Sequence, residues 1–534
     1  MTAAPAGTHP ASPSVPWRHY VGLIGVMLGS MMATLGTRVT TFGLADLRGS
    51  LGAGFDEGAW ITTALGLGQL ISGISCPYLA SIAGGRRMLL SGILVFFVAS
   101  LLGPFSPDLD GYLAAQFLAG LGSGTFIPLT LIFILRHLPK PMLIYGIAIY
   151  GMNVEFSQNI AASLEGFYLD TLSWHWLSWQ YCLGLPLMFL CVWLGMPADP
   201  PNAPELKRID GTGLAYAWLG LGACYVALDQ GNRLDWTRSG TIVGLLAVGG
   251  LAFAAFVARE LKTPYPALNL RVLAAPGLLV LFMLLAGLRF IILSTAYVIP
   301  TYLQTLQNYR ALEIGAVLIW IAAPQIILVL PLALLLQRID PKWTLGAGAA
   351  LVAAACVMAT GLTGVWATAD FLPSQVMQAV GQSLALTSLV TLVARTIKPE
   401  QAVTIGAFMQ TSRLLGGEAG IAFMQTFLRQ REQLHSNLLG LHVQGQSGDT
   451  ASRIAAYGHA LAGKLASGSA AAAADIKLLA SAVSQQAYVL AFIDAFRAAA
   501  IVALFCWLLA VLVPKGPQIA AVPARAASPS ARVS

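Results

Sequence analysis

Several long apolar runs of the sequence contain ionisable side chains, which are costly to bury in hydrocarbon. Such a group usually faces a polar interior or a water-filled route, so each is a candidate for function. A carboxyl group in that setting can carry a proton, and a guanidinium group can bind an anion. The candidates are Arg38, Glu155, Glu165, Arg289, Arg413, Glu418, Asp494 and Arg497.

One of these runs, residues 143–169, carries a polar stripe. Glu155, Gln158, Asn159 and Glu165 fall within about a third of the helix circumference, at about 100° per residue. Such a stripe cannot face lipid, so we expect it to line an aqueous cavity or a polar helix interface. Glu155 and Glu165 are candidates for proton coupling, because burial favours the neutral acid and wetting favours the carboxylate. Structural carboxyl groups, hydrogen-bonded to neighbouring helices, are the alternative.

Residues 20–45 repeat this pattern with the opposite charge. Thr34, Thr37, Arg38 and Thr41 share one helical face and are candidates for a substrate cavity. We expect Arg38 to point into the bundle, where it pairs with a glutamate of residues 143–169 or binds an anionic group of a substrate. A purely structural ion pair and a substrate contact stay equally open.

The remaining ionisable candidates lie later in the chain. Glu418 stands among closely spaced glycines, which allow close helix approach, and it is a further candidate for proton coupling. Arg413 lies on a different face of the same segment and is a cavity candidate. Arg289 either lines a cavity or extends its charged end towards water. Asp494 and Arg497 are three residues apart on one face, which predicts a local salt bridge.

The composition of the chain predicts the elements that carry these residues. Of the 534 residues, 57% are hydrophobic and only 10% are charged, and the mean hydropathy is +0.73. A soluble domain carries about 25% charged residues, so we predict an all-α polytopic membrane protein. A helix needs about 20 apolar residues to cross the hydrocarbon core. On that rule the sequence predicts fourteen spans, numbered 1 to 14 in chain order: 20–45, 59–80, 88–105, 111–135, 143–169, 179–197, 212–229, 240–259, 276–303, 313–336, 343–362, 371–394, 402–428 and 487–513.

Lysine and arginine are distributed unequally between the loops, and this predicts the orientation. With the N-terminus in the cytoplasm, the inside segments hold Arg18, Arg86, Arg87, Arg136, Lys140, Lys207, Arg208, Arg259, Lys262, Arg271, Arg338, Lys342, Arg395, Lys398 and Lys515. The short outside loops hold only Arg48, Arg233, Arg238 and Arg310. This bias favours an even number of spans with both termini in the cytoplasm. Residues 1–19 and 514–534 are expected to be cytoplasmic tails, and their Pro-, Ala- and Ser-rich composition predicts disorder.

One predicted loop is long. Residues 429–486 separate spans 13 and 14 on the outer side and contain helix-favouring runs such as Ala471–Ala474 and Ile476–Ala482. Three uses stay open for this segment: a docking element for a partner, an external lid, or a tolerated insertion.

The sequence lacks the signatures of several other classes of protein. The net charge of +7 is spread over short loops, which argues against nucleic-acid binding. The six cysteines lie within or beside apolar runs without a C-x-x-C pair, so we expect neither a metal site nor a disulfide framework. Walker A, G-x-S-x-G and H-E-x-x-H motifs do not occur in the sequence. We therefore expect no enzyme and no cofactor, and an ion gradient is the remaining energy source for uphill transport.

A specific motif runs from Lys207 to Ser239 and reads K-R-I-D-G-T-G, an apolar span, then L-D-Q-G-N-R-L-D-W-T-R-S. In this motif the sequence resembles the fourteen-span drug:proton antiporters of the major facilitator superfamily, the EmrB/QacA type, over about residues 20–513. The positions that match the family at span 7 and in the loop after it are Asp210, Gly213, Asp229, Gly231, Asp235 and Trp236.

Two further segments are similar to family motifs. The stretch G-L-G-S-G-T-F-I-P-L, from Gly120 to Leu129, resembles the end of the span 4 motif and includes Gly124 and Pro128. Its small residues predict tight helix packing, or alternatively a flexible gating element. Arg413 fits the span 13 pattern R-x-x-x-G-x-x-G.

The resemblance implies a fold of two six-helix halves, residues 20–197 and 261–513, with residues 198–260 as the inserted spans 7 and 8. It implies an inner-membrane transporter that exports small amphipathic organic compounds or drugs by proton antiport with alternating access. It also implies a periplasmic membrane-fusion protein and an outer-membrane channel as partners, for which residues 429–486 are the candidate docking element.

The sequence departs from the family pattern at several charged positions. Gly36 stands where span 1 has an aspartate, Gln116 where span 4 has an arginine, and Ser81 where the loop after span 2 has an aspartate. Glu165 occupies a usual glycine of the span 5 antiporter motif. Our hypothesis is that the ionisable groups are relocated to Arg38 and the span 5 glutamates, with Gln116 as a further cavity candidate.

Other functions stay open on the sequence alone. An uptake permease or facilitator of the same fold is one, and a membrane scaffold or sensor that does not transport is another. The charge of the substrate is open too: Arg38 and Arg289 point to an anionic or aromatic acid, whereas the glutamates point to a cation.

Overall fold

The computed structural model describes residues 17–200, 202, 209–264, 266–274, 276–396, 401–443, 452, 456 and 469–513. Within this described part the regular elements are helices, and no β-strand occurs there. Long helical stretches lie at each of the predicted spans, so the span numbers are kept for them. The prediction of an all-α chain is confirmed.

The helices that form the spans are Trp17–Phe42 (span 1), Phe55–Gly58 with Trp60–Ala83 (span 2), Gly85–Leu102 (span 3), Leu109–Ser123 with Phe126–His137 (span 4), Lys140–Thr171 (span 5), Trp176–Gly195 (span 6), Gly211–Gly231 (span 7), Gly240–Lys262 (span 8), Pro276–Leu293 with Ile299–Leu306 (span 9), Ala311–Arg338 (span 10), Pro341–Ala359 (span 11), Thr368–Thr396 (span 12), Ala402–Gly440 (span 13) and Ser469–Leu512 (span 14). A short helix, Leu44–Ser50, follows span 1.

Twelve of the described helices are long and apolar enough to cross a membrane. Spans 5 and 13 are not among the twelve, although they are 32 and 39 residues long, because they carry more polar and ionisable side chains. Span 5 packs against spans 1, 10 and 12, and span 13 packs against spans 2, 9 and 14. These two polar helices therefore lie among the apolar ones, as expected for helices that cannot face lipid.

Buried apolar side chains form two main clusters. One is built almost entirely from residues 26–196 and the other from residues 278–513. We call the helices of the first cluster, spans 1 to 6, the first group, and those of the second cluster, spans 9 to 14, the second group. A third cluster joins span 2 to spans 7, 8 and 13 through Leu70, Ile74, Tyr225, Phe256 and Leu414. Spans 7 and 8 thus pack beside span 2 of the first group of helices and span 13 of the second.

Two of the spans are interrupted near their middle. Span 4 breaks between Ser123 and Phe126, and the second part of it contains Pro128. Span 9 contains a π-helical segment, Ser294–Val298, directly before Pro300. Because proline cannot donate a backbone hydrogen bond and π-helical turns displace carbonyl groups from the α-helical pattern, such breaks free backbone polar groups for other contacts.

Small residues bring particular helices into close contact. A Cβ atom added to Gly120 or Gly124 would overlap with backbone or side-chain atoms of span 2. A Cβ atom added to Gly166 would overlap with Leu312, and one added to Gly315 would overlap with Ser163. The first pair of glycines sets the packing of spans 2 and 4. The second pair sets the packing between the C-terminal end of span 5 and the N-terminal end of span 10.

The prediction of residues 429–486 as one long loop is wrong at both ends. Span 13 continues as a helix to Gly440, and the helix of span 14 begins at Ser469. Asp494 of span 14 accepts bonds from Arg431, at 2.5 Å, and contacts His435, at 2.8 Å, so the two helices are held together beyond the predicted boundary. The predicted salt bridge between Asp494 and Arg497 is present at 3.1 Å and belongs to this cluster.

The N-terminal boundary also differs from the prediction. Residues 17–19, assigned to a disordered tail, form the first part of span 1, where aromatic Trp17 suits a membrane–water boundary. Residues 1–16 and 514–534 lie outside the described residues. The same holds for four of the basic residues used to predict the orientation, Lys207, Arg208, Lys398 and Lys515.

Candidate functional site

An internal cavity lies where spans 4, 5, 9, 12 and 13 meet, between the two groups of helices. About 30 Å³ of it is open to a water-sized molecule in this conformation, which is room for about two water molecules, so a larger ligand requires the two groups of helices to move apart. The side chains and backbone that line it are Ile127, Pro128, Leu131, Tyr150, Val154, Leu285, Arg289, Leu386, Val390, Gly406, Met409, Gln410 and Arg413. Arg289 and Arg413, two of the cavity residues predicted from the sequence, thus line the same cavity, together with Pro128.

Both arginines of the cavity have unused hydrogen-bonding capacity. Arg413 donates from Nε to Oε1 of Gln410 at 3.0 Å, but its Nη2 is buried without an acceptor among the described residues. Nε of Arg289 is also buried without an acceptor among the described residues. A buried donor without a partner costs about 1–3 kcal/mol, and more if it is charged. The two guanidinium groups are therefore suited to an acceptor that enters the cavity.

Glu155 lies behind this wall on span 5. Its side chain is fully buried, and neither carboxyl oxygen has a hydrogen-bond partner in the described part of the chain. Arg289 and Arg38 interact with it electrostatically, although neither forms an ion pair with it within 4.0 Å. Glu155 is thus a buried carboxyl group that lies near two arginines without direct contact to either.

Arg38 does not line the cavity. Its Nη2 donates to the backbone carbonyl of Ala296 at 2.6 Å, and its guanidinium lies 5.2 Å from the ring centre of Phe42. Ala296 belongs to the π-helical segment of span 9. Arg38 therefore links span 1 directly to the interrupted helix of the other group.

The span 1 threonines are used within the helix bundle and do not reach the cavity. Thr34 donates to the carbonyl of Ser30 at 3.0 Å, and Thr41 donates to that of Thr37 at 2.8 Å. Thr37 donates to Oε1 of Gln69 on span 2 at 3.1 Å. A hydroxyl that bonds to its own helix needs no other partner. The prediction that these threonines line a substrate cavity, made because they share a helical face with Arg38, is therefore wrong for this cavity.

The polar neighbours of Glu155 on span 5 face span 10. Asn159 donates to the carbonyl of Glu155 at 2.9 Å and approaches Oε1 of Gln325 at 3.4 Å. Gln325 is fully buried. Gln158 is half-buried and forms no hydrogen bond with a described residue. The polar stripe is thus a helix interface in this part, which was one of the two expected uses.

Glu165 lies apart from Glu155, near the C-terminal end of span 5. Ten residues separate them, which corresponds to about 15 Å along a helix. Glu165 is 1% exposed, its oxygens have no hydrogen-bond partner among the residues described, and it interacts electrostatically with Asp46, Arg310 and Asp170. Arg310 itself contacts Asp170 at 3.3 Å and Asp46 at 3.9 Å. An arginine at the start of span 10 therefore bridges to the short helix after span 1 and to the C-terminal end of span 5.

Glu418 pairs with a second carboxyl group. It is 9% exposed and lies in hydrogen-bonding contact with Asp229 and Tyr225 of span 7. Asp229 also accepts bonds from Thr63 and, at 3.0 Å, from Gln230. Since a carboxylate has no hydrogen to donate, a hydrogen bond between two carboxyl groups requires one proton shared by the pair. This pair does not line the cavity, and neither carboxyl group forms an ion pair with Arg413 within 4.0 Å.

Gln116 and Gly36 face a second, smaller cavity inside the first group of helices. Gln116 donates to the hydroxyl of Tyr112 at 2.8 Å. The buried hydroxyl of Tyr181 has no described partner, and a Cβ atom added to Gly36 would lie 4.0 Å from it. The two positions that the resemblance assigns to opposite charges therefore open onto the same space.

The span 7 motif residues have structural roles at the start of that helix. Asp210 caps it by accepting from the backbone of Gly213 at 2.9 Å, and it pairs with Arg259 of span 8 at 2.8 Å. A Cβ atom on Gly213 would lie 2.6 Å from the Asp210 carboxyl group. The cap and the ion pair hold spans 7 and 8 together.

The loop after span 7 docks on span 13. Trp236 donates from Nε1 to Thr426 at 2.9 Å, and Asp235 contacts Arg429 at 3.2 Å. Both loop residues have positive φ, 66° for Asp235 and 51° for Trp236. The ring of Trp236 lies where a Cβ atom of Gly231 would be, at 2.6 Å, which explains the glycine.

Several buried polar residues were missed by the sequence analysis. Gln375, Gln378 and Gln382 follow one face of span 12 and are at most 2% exposed. Gln378 donates to Ser294 at 3.1 Å and Gln382 to Thr295 at 3.0 Å, so they hold the start of the π-helical segment. Three glutamines at this spacing in an apolar run were a detectable signal, because they mark one polar face of a helix.

The geometry agrees with comparisons to known proteins. The sequence profile described as Major Facilitator Superfamily matches residues 26–421. The fatty acid resistance protein FarB of Neisseria gonorrhoeae is 25% identical over 428 residues, covering 78% of this chain and 82% of its own. The multidrug export protein EmrB of Escherichia coli K12 is 22% identical over 423 residues, covering 77% and 80%.

Solved structures show the same fold. The crystal structure of the peptide transporter POT in complex with sulfate has a TM-score of 0.57 at 16% identity, covering 94% of this chain and 96% of its own. The proton:xylose symporter XylE bound to 6-bromo-6-deoxy-D-glucose has a TM-score of 0.53 at 13% identity, covering 94% and 97%. At this identity the likeness concerns the fold alone.

Proposed function

This chain belongs to the major facilitator superfamily, a family of membrane transporters, and from that premise we propose that it exports small amphipathic organic compounds in exchange for protons. The observation that carries the proposal is the cavity between the two groups of helices, with buried ionisable side chains at its wall. Such groups are retained inside a membrane protein where a solute or proton passes. The names of FarB and EmrB, which denote resistance and export, support the outward direction.

We place the protein in the bacterial inner membrane with both termini in the cytoplasm. The support is the excess of lysine and arginine in the loops on one side. In this orientation the Arg310 bridge and the extended ends of spans 13 and 14 lie on the periplasmic side. Residues 17–197 and 261–513 act as the two halves that rock about the cavity, and spans 7 and 8 accompany them.

We propose three buried sites for proton coupling: Glu155, Glu165 and the Asp229–Glu418 pair. The Asp229–Glu418 pair already requires one proton in the conformation described. Glu155 lies beside the cavity and Glu165 lies at its outer approach, so both are wetted when the outer side opens. A proton that binds at one of these three sites from the periplasm and leaves to the cytoplasm drives the conformational cycle.

The test is accumulation of fluorescent amphipathic dyes in inverted membrane vesicles under an imposed pH gradient. Export by proton antiport predicts accumulation that needs the protein and stops when a protonophore collapses the gradient. Accumulation only in right-side-out vesicles contradicts export and favours an uptake permease. Absence of movement in both orientations, for vesicles shown to contain folded protein, favours a scaffold or sensor.

We further propose that the extended ends of spans 13 and 14 dock a periplasmic membrane-fusion protein, which leads to an outer-membrane channel. Leu434, Leu438 and Leu441 are 42%, 48% and 70% exposed, and their spacing places them on one helical face. An exposed apolar stripe beyond the bilayer suits a helical partner. Replacing the three leucines by serine should abolish crosslinking to the partner while dye transport in vesicles persists. Unchanged crosslinking and unchanged efflux by cells would contradict the assignment.

A further inference from the structure

The cavity wall carries a net positive charge. Arg289 and Arg413 line it from spans 9 and 13 and interact with each other electrostatically. Neither forms an ion pair with an acidic residue of the described chain. Glu155 influences Arg289 through space but is not one of the lining residues. Two like charges held together in a buried space repel each other, so an anion between them is stabilised.

The rest of the wall selects the other part of a ligand. Leu131, Val154, Leu285, Leu386, Val390 and Met409 are apolar side chains of the lining. Two neutral polar groups accompany the arginines, the Tyr150 hydroxyl and the amide of Gln410, whose buried Nε2 has no described partner. A ligand that satisfies this wall therefore needs an anionic end that accepts several hydrogen bonds and an apolar body.

We propose that the substrate is an amphipathic organic monocarboxylate, with its carboxylate between Arg289 and Arg413 and its aliphatic or aromatic body against the apolar wall. This inference rests on the proposed function, because it names the substrate class of the same cavity. It decides between the two charges that the sequence left open. The arginines contact the cavity, whereas the carboxyl groups lie behind its wall, at the outer end of span 5 or at the interface with span 7.

Electrostatics assigns the carboxyl groups different tasks. A proton on Glu155 removes the negative charge near Arg289, so proton and anion favour each other's binding at this position. Exchange of an anion for a proton needs the opposite relation, in which one occupant excludes the other. Glu155 therefore acts as the internal counter-ion of the empty cavity. The electrostatic effect of a bound proton on the anion has the same sign at every carboxyl group and weakens with distance, so we assign the exchanged proton to the Asp229–Glu418 pair, which does not line the cavity.

A matched set of ligands tests the charge preference directly. We use 1-naphthoate, 1-naphthylmethylammonium and 1-naphthalenemethanol, which share the aromatic body and differ in charge. Binding to the purified full-length protein in lipid nanodiscs is measured by calorimetry. The wild type should bind 1-naphthoate, and bind it at least about tenfold more tightly than the other two, because only its carboxylate is an anion that accepts hydrogen bonds from the guanidinium groups. Equal binding of the three, no binding, or preference for the ammonium compound overturns the proposal.

Variants locate the binding. Arg413→Gln should weaken 1-naphthoate binding by about tenfold or more, and Arg413→Lys, which keeps the charge, should weaken it less. Glu155→Gln should leave 1-naphthoate binding intact or strengthen it, whereas a cation-binding cavity would lose affinity. The control is Arg238→Gln, which removes an 84% exposed arginine far from the cavity and should bind as the wild type does. Wild-type affinity in Arg413→Gln overturns the assignment of Arg413.

The same experiment separates this inference from the proposed function. Selective binding of 1-naphthoate without gradient-driven movement in vesicles would remove the transport function and leave the ligand class standing. Gradient-driven transport of dyes combined with a preference for the ammonium compound would retain the transport function and remove the ligand class. A thermal unfolding curve for each variant shows that it is folded before its binding is compared.

Discussion

The guanidinium of Arg38 donates a 2.6 Å hydrogen bond to the backbone carbonyl of Ala296, and so joins span 1 to the π-helical segment of span 9. These spans belong to different hydrophobic clusters, which makes this contact a link between the two groups of helices. Arg38 also senses the charge of Glu155. A change of charge or hydration at Glu155 can therefore alter the strength of a contact that must break when the groups separate.

Arg38→Gln should destabilise the conformation described here relative to the alternatives. A hydrogen bond from a charged donor contributes about 1.5–3 kcal/mol, so the conformational equilibrium should shift by about tenfold or more. Distances between spin labels on spans 1 and 9 measure the shift. Thr34→Val is the matched control, because the Thr34 hydroxyl bonds only to its own helix. Identical distance distributions for Arg38→Gln and the wild type would mean that this bond does not hold the groups together.

Glu418→Gln should remove the shared proton while keeping the contact with Asp229, because an amide donates where the protonated carboxyl did. We expect the variant to fold and to exchange substrate across the membrane in counterflow. It should lose gradient-driven accumulation and substrate-induced proton release. Proton release is measured with a pH dye in weakly buffered proteoliposomes. Wild-type accumulation by Glu418→Gln would exclude the Asp229–Glu418 pair as the site of coupling.

Glu155→Gln should slow gradient-driven transport, because Arg289 and Arg38 lose their nearby carboxylate. The conformational change of the protein with an empty cavity should then be slower, since two buried arginines lack a counter-charge. The rate is measured in inverted vesicles against the wild type. Binding of 1-naphthoate in the same preparation should not fall. Gradient-dependent transport at the wild-type rate would remove Glu155 from the mechanism.

The hydropathy of the sequence was sufficient to predict the positions of the helices, and the cost of buried charge was sufficient to single out Arg289, Arg413 and Glu155. Neither rule says what a side chain touches. Thr34 and Thr41 share a face with Arg38, yet their hydroxyls bond to carbonyls of their own helix. A threonine hydroxyl can reach the i−4 carbonyl of its own helix on any face of that helix. The helical face alone therefore could not predict whether the hydroxyl bonds to the backbone or lines a cavity.

The pairing of Asp229 with Glu418 could not be predicted from the sequence. Asp229 was identified only as a position that matches the family motif, and Glu418 was a candidate for proton coupling on its own. Their contact depends on how span 7 is rotated and where it packs against span 13, which hydropathy does not encode. The glutamines of span 12 were predictable in principle from their spacing, but uncharged side chains give a weaker signal than ionisable ones.

Gly36→Asp should be destabilising alone and tolerated together with Gln116→Arg. The carboxylate would enter the second, smaller cavity and accept a bond from Tyr181, but an uncompensated buried charge costs several kcal/mol. The arginine at position 116 supplies the counter-charge, so the coupling free energy should be about 1–3 kcal/mol. Thermal unfolding of the two single variants and the double variant gives this cycle, with Gly36→Asn as the uncharged control. If the change in unfolding free energy of the double variant equals the sum of the two single changes, the positions do not interact.

Arg310→Gln should loosen the outer ends of spans 5 and 10. Arg310 bridges to Asp46 and Asp170, and its removal leaves the glycine contacts of Gly166 and Gly315 as the remaining closure. Arg310 is 67% exposed, and such pairs contribute about 0–1 kcal/mol each. We therefore expect the fraction of molecules in which these helix ends are apart to increase by about two- to fivefold.

The opening is measured as the labelling rate of a cysteine at Ser163, in a background without the native cysteines, by a membrane-impermeant maleimide applied from outside. High salt should raise the labelling of the parent protein towards that of Arg310→Gln, since screening weakens exposed pairs. Arg238→Gln removes another outer-loop arginine and should leave the rate unchanged. If Arg310→Gln and the parent protein label equally at every salt concentration, close packing of the glycines alone closes the outer side, and the charges at Asp46 and Asp170 serve another purpose.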